Sequence, residues 1–274
     1  MFPKRPAIAT TAVCCALVLG AGGCARNQDP AGSSNAAAAT ASPGASGSTG
    51  AAGRLDTEKL TAAEIEKQSQ DAMASLSSVR ISGNMVAAGK KMTLDLATDT
   101  KGNCQGTIGV VGMGQIEIIH TDGTSYLRPD AAFWKTIAAG KGDAHAGDVA
   151  AEMFKGRYLT GAKDDPSLAG LAAMCDIVKS MTDNKDTDDD AVKGAAATVN
   201  GHSTFTVVST DDDGSTNTGY VATDGKPYLV KIAHYGAEPG EMNFTDFDKP
   251  LTVQAPPADN VIDYTQFKAK LTTI

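Results

Sequence analysis

"VRISGNMVAAGKKMTLDLATDTKGNCQGTIGVVGMGQIEIIHTDGTSYLRPD", residues 79–130, alternates with a period of two and is cut repeatedly by turn residues. Val79, Ile81, Gly83 and Met85 fall on one side of a first strand. Past Gly89-Lys90, the residues Met92, Leu94 and Leu96 share one side of a second, opposite Thr93, Asp95 and Asp99. Lys101-Gly102-Asn103 makes a turn, and a third run from Thr107 to Val111 meets Gly112 and Gly114. Ile116 and Ile118 then alternate with Gln115 and Glu117, and Asp122-Gly123 carries the chemistry of a tight hairpin. Only turns separate these strands, so they form an antiparallel meander.

Working outward, a helix precedes the meander. Thr61 and Glu64 form a capping-box pair, and Leu60, Ile65, Ala72, Met73 and Leu76 recur at near-helical spacing to about Ser77. Downstream, residues 147–161 and 165–181 read as two helices, the second with Leu168, Leu171, Ala172, Cys175 and Val178 on one face. Strands return near residue 198 and continue through "PYLVKIAHYG" and "EMNFTDF", with Asp-rich or Gly-rich turns between them. Residues 250–264 read as an extended tail, and 265–271 as a last short helical turn. The expected fold is α+β: a curved antiparallel half-barrel of about eight to eleven strands with helices packed on its concave face.

The chain begins differently. Residues 1–6 carry Lys4 and Arg5 and no acid, residues 7–20 are apolar, and Ala21, Gly22 and Gly23 precede Cys24. A cationic head, a short apolar run and small residues describe an export signal, and the run is shorter than the roughly 20 residues of a membrane span. A cysteine directly after the small residues is similar to a bacterial lipobox, with Ala21 where Leu is usual. An exported chain with a chance cysteine is the alternative. The lipobox reading makes the Cys24 thiol the nucleophile that takes a diacylglycerol, with acyl chains of the palmitate class. Residues 25–53 are nearly all Ala, Gly, Ser, Thr, Pro and Asn, which cannot bury a core. The expected organisation is thus a signal over 1–23, a lipidated cysteine and tether over 24–53, and one folded domain over 54–274. That domain stands at the extracytoplasmic face of the cell membrane.

Charge narrows the partners. The net charge is −8, and the leader takes two cations with it. An acidic chain repels phosphate backbones, so nucleic acid is excluded as a partner.

A search for catalytic chemistry yields none. His120, His145, His202 and His234 lie far apart without ligand spacing, and there is no nucleophile elbow or dinucleotide fingerprint. No metal, cofactor or enzymatic activity is expected. The acidic runs at 183–190 and 211–214 lack the spacing of a calcium loop and suit solvated turns. Cys104 and Cys175 remain in the folded part, either as a disulfide worth roughly 4 kcal/mol or as two buried thiols. Met85, Met92, Met113, Met153, Met174, Met181 and Met242 are spread through the domain. They suit either an ordinary core or a soft lining for acyl chains.

Several stretches resemble the LolA-like lipoproteins of the LppX/LprG type. They include "SSVRISG", "MTLDL", "GNCQGTI", "IEIIHTDGTSYLRPDAAFW" ending at Trp134, "GKPYLVKI" and "EPGEMNFTDFDKPLTVQAPPADNVID". The likeness covers about residues 55–267 and has no catalytic signature. It implies an apolar cavity between sheet and helices that holds a lipid or glycolipid, with the Gly-rich stretch 138–147 as a mobile rim. The pocket candidates are Ile81, Met85, Met92, Leu94, Leu96, Ile116 and Ile118, although alternation alone leaves open which face is concave. The expected function is a cell-envelope lipoprotein that binds, and carries, a lipid or other apolar molecule. The alternative is a tethered sensor or protein-docking domain without cargo, presenting exposed aromatics such as Phe133, Trp134 and Tyr158 to a protein partner that the sequence does not name.

Overall fold

Four successive hairpins build one half of the sheet. They follow helix α1 (Ala62–Ala74) and join β1 (Ser78–Ala87), β2 (Lys90–Asp99), β3 (Cys104–Val110), β4 (Gly114–Thr121) and β5 (Thr124–Pro129). In this computed structural model the described residues are 54–87, 89–140, 142, 144–161, 173–176 and 190–265, all within the unit Ala52–Ile274. The β4–β5 turn shows why Asp-Gly sits there: Asp122 and Gly123 take φ values of 51° and 72°, the left-handed pair that a two-residue hairpin demands.

Helices α2 (Ala131–Ala139) and α3 (Ala144–Met153) come next, then a short strand β6 (Tyr158–Thr160). The second meander is β7 (Val192–Val199), β8 (His202–Thr210), β9 (Thr216–Ala222), β10 (Leu229–Tyr235) and β11 (Gly240–Thr245), followed by β12 (Val261–Asp263). Among the described residues, one sheet holds all twelve strands in the order β12-β6-β5-β4-β3-β2-β1-β11-β10-β9-β8-β7, curved and open at both ends. Pairing of β1 with β11, Ile81 opposite Phe244, fuses the two meanders. All pairs are antiparallel except β12 with β6. The fold is an α+β half-barrel.

The capping box at α1 is complete. Thr61 Oγ1 accepts from the Glu64 amide at 3.2 Å, and Glu64 Oε2 accepts from the Thr61 amide at 2.8 Å. The helix ends at Ala74, with Ser75 as its C-cap.

The middle of the chain departs from its sequence pattern. A single helix over 147–161 is replaced by α3, which ends at Met153, and by β6. Three-residue strands are too short to show alternation; β6 exists because Leu159 pairs with Leu127 of β5 and β12 then pairs beside it. The same pairing turns part of the expected tail into β12, and the strand count rises to twelve. Helix α2 was not expected. Asp130 starts it, with Oδ1 accepting from the Phe133 amide at 2.8 Å, while Oδ2 accepts from the Gln115 amide of β4 at 3.0 Å. The described part of the Gly-rich stretch 138–147 contributes the end of α2 and the start of α3. Gly147 packs so closely on α2 that a β-carbon there would lie 2.8 Å from the Lys135 Cα. Of the helix expected over 165–181, only a 3-10 turn at Ala173–Asp176 lies among the described residues. The expected turn over 265–271 lies outside them save for Thr265.

Candidate functional site

The register lines apolar residues into transverse rows on one face. One row runs Val207, Gly219, Ile232, Met242, Gly83, Leu94, Ile108, Ile116, crossing from β8 to β4. Beside it runs Phe244, Ile81, Leu96, Gly106, Ile118, Leu127, Leu159. Two of the glycines in these rows, Gly83 and Gly106, are there for space. A β-carbon on Gly83 would overlap the carbonyl oxygen of Glu241, and one on Gly106 that of Asp95. At these two points the neighbouring backbone takes the room that a side chain needs.

Three elements cover this face. Helix α1 places Ile65, with no exposed surface, among Leu55, Ala62, Val207 and Val221. Its exit brings Met73 and Leu76 onto the β1–β4 rows. Helix α2 adds Phe133, with Trp134 and Ile137 packed beside it. The third cover is the 173–176 turn. A disulfide joins Cys104 of β3 to Cys175 with Cα atoms 5.5 Å apart, and the buried Thr98 hydroxyl donates to the Cys175 carbonyl at 3.2 Å.

The opposite face is polar. Tyr220, Lys231, Asn243, Ser82, Asp95, Thr107, Glu117 and Arg128 form its transverse row. Arg80 pairs with Asp95 at 2.7 Å and Lys231 with Glu241 at 2.6 Å. Arg128 pairs with Glu117 and lies over the Tyr158 ring at 4.8 Å. The Tyr158 hydroxyl donates to Glu117 at 2.6 Å. Burial first, and that bond second, push the phenol up to about 12.

All seven pocket candidates point to the helix-covered side. Ile81, Leu94, Leu96, Ile116 and Ile118 are buried in one cluster, with Met92 packed against it. Met85 pairs with Met92 at the end of the β1–β2 hairpin and is half-buried. Met174 and Met242 also pack on the cluster, whereas Met153 is 45% exposed and Met181 lies outside the described residues. Two surface depressions, about 420 and 450 Å3, are lined by none of the seven: one lies beside Leu55, Lys59 and Leu60, the other beside Glu117, Arg128 and Lys155.

The remaining candidates do not converge. His120 bonds Ser125 at 2.7 Å, His202 lies 3.4 Å from Asp224, and His234 bonds Asn217 at 2.8 Å, each on its own part of the sheet. His145 lies on α3. No group of three or more metal-binding side chains occurs among the described residues. Asp211 and Asp213 close the β8–β9 turn by accepting from Ser215; the 183–190 run lies outside the described residues except for Asp190. Phe133 and Tyr158 are buried and Trp134 is half-buried, so these three rings make no exposed aromatic patch. Cys24 lies outside the described residues. No helix among the described residues is long and apolar enough to cross a membrane. The sequence reading missed the aromatic cover from α2. Its signal was present as Asp130 followed by Phe133, Trp134 and Ile137, an N-cap ahead of helical spacing.

Two solved lipoproteins resemble this chain in fold. LprF from Mycobacterium bovis aligns with a TM-score of 0.48 at 14% identity, covering 72% of this chain and 97% of that one. LppX from Mycobacterium tuberculosis aligns with a TM-score of 0.44 at 12% identity, covering 70% of this chain and 98% of that one. No protein-family model and no curated protein matches the sequence.

Proposed function

We propose that this chain is a cell-envelope lipoprotein whose half-barrel binds a lipid or other apolar molecule against its helix-covered face and carries it. Residues 1–23 are its export signal, Cys24 its acylated anchor at the extracytoplasmic face of the membrane, and 24–53 its tether. The observation that carries the reading is the apolar row spanning β8 to β4, which includes Met242 and has Met92 and Met174 packed against the same cluster. Each CH2 moved from water to such a surface contributes about 0.8 kcal/mol, and thioether side chains repack around chains of different length. Ile81, Leu96 and Ile118 have no exposed surface, so uptake requires part of the cover to part from the sheet.

That same dense packing favours a second reading, in which the domain is a tethered sensor or docking module with a closed core. Native mass spectrometry of the mature chain, purified from its own host, separates the two. A covalent anchor stays with the polypeptide, whereas cargo extracts into organic solvent. A reproducible extractable mass of acyl lipid supports carriage. A mass of polypeptide plus anchor alone, unchanged when phospholipid vesicles are offered, refutes it.

A further inference from the structure

We infer that the indole N–H of Trp134 is the hydrogen-bond donor that fixes the acyl carbonyl of a bound lipid at the α2 end of the apolar face. The inference rests on the lipid-binding reading and adds the chemical class of the ligand and the atom that recognises it.

Trp134 packs against the main apolar cluster beside Phe133 and Ile137. Its ring stacks on Phe154, with centroids 4.7 Å apart, and meets Phe133 edge-on at 5.7 Å. This aromatic clamp leaves Nε1 buried, and the N–H has no partner among the described residues. An indole N–H is a donor only, and a buried one ordinarily finds an acceptor. A water held there would need two to four polar partners, and the two rings packed on Trp134 supply none. The group that fits is an acceptor carried on an apolar body. An acyl ester or acid has that form: a carbonyl oxygen at the head of a hydrocarbon chain. Its chain would continue along the apolar rows while the carbonyl stays at α2, so the donor sets the depth of the lipid. Hydrocarbons of equal length lack the acceptor and leave the N–H unpaired.

Trp134 is the chain's sole tryptophan, so its indole gives one 15N–1H cross-peak. The test uses the whole mature chain with Cys24→Ala, which removes the acyl anchor and leaves every other residue unchanged, after extraction of bound lipid. Methyl laurate and dodecane are the probes. The expected result is a downfield indole proton shift with the ester alone, and about three- to tenfold tighter binding of the ester. Trp134→Phe should abolish that preference while retaining dodecane uptake. The wild-type cross-peak decides the matter even if the variant does not fold. Equal binding of both probes with an unmoved indole overturns this inference and leaves lipid binding intact. An indole proton already downfield in lipid-free protein, and unmoved by ester, identifies a water or protein acceptor and also overturns it. Binding of neither probe overturns both this inference and the lipid-binding reading.

Discussion

Replacing Cys104 and Cys175 together by alanine tests the disulfide as the staple of the covered face. The two cysteines are 71 residues apart in sequence. In the chain-entropy model, closing a loop of that length lowers the unfolded state's entropy enough to contribute about 4 kcal/mol at 25 °C. The sulfurs also fill space, since Cys104 has no exposed surface and Cys175 is 3% exposed. The variant should therefore lose about 4 kcal/mol or slightly more in urea denaturation. With an m-value of about 2 kcal/mol/M, the midpoint should fall by about 2 M. Wild-type protein denatured in the presence of a strong reductant should move the same way. The 173–176 turn also meets the sheet through the Thr98 hydroxyl, which donates to the Cys175 carbonyl. Thr98→Val, at nearly constant volume, should cost about 1 kcal/mol. A loss below about 1 kcal/mol in the double variant, with an unchanged m-value, would refute the reasoning: the cross-link would then be constraining neither state.

Gly106→Ala should destabilise by about 1–3 kcal/mol, because the added methyl overlaps the Asp95 carbonyl and backbone must shift. Gly219→Ala, whose methyl would meet Leu229 at an ordinary 3.4 Å and the Val207 carbonyl oxygen at 3.8 Å, should stay within about 0.5 kcal/mol in the same thermal melt. Thr61→Ala removes the α1 cap and should cost about 1 kcal/mol. Tyr158 titrates near 12 when folded against an ordinary 10.0. Its contribution is therefore complete below pH 10 and disappears as pH rises through 12; absorbance at 295 nm should show a late phenol ionisation that moves earlier in Glu117→Gln. Cys24→Ala should move the protein from the membrane fraction to the soluble extracytoplasmic one, and continued membrane fractionation would count against the anchor.

Different parts of this architecture were legible for different physical reasons. Residues 79–85, 92–96 and 115–118 read as strands because a half-buried strand must alternate, and they alternate throughout. Asp122-Gly123 read as a hairpin because few residues accept positive φ. The capping box at Thr61 and Glu64 read correctly because it needs only residues three apart. Strands β6 and β12 were not legible, since three residues carry no period and depend on the neighbours they pair with. Helix α2 hid behind a run that looked like the end of a strand, although Asp130 marked its start.

Local spacing was enough to specify two meanders, their turns, a capped first helix and, within each strand, the apolar residues that share a side. Those features depend on backbone conformation and on spacing within one segment. Tertiary structure decided which side that was, joined β1 to β11, brought Cys175 to Cys104, and left the Trp134 N–H buried without a partner among the described residues. Each of these is a relation between distant segments, chosen by packing summed over the whole sheet and not by any one stretch of chain.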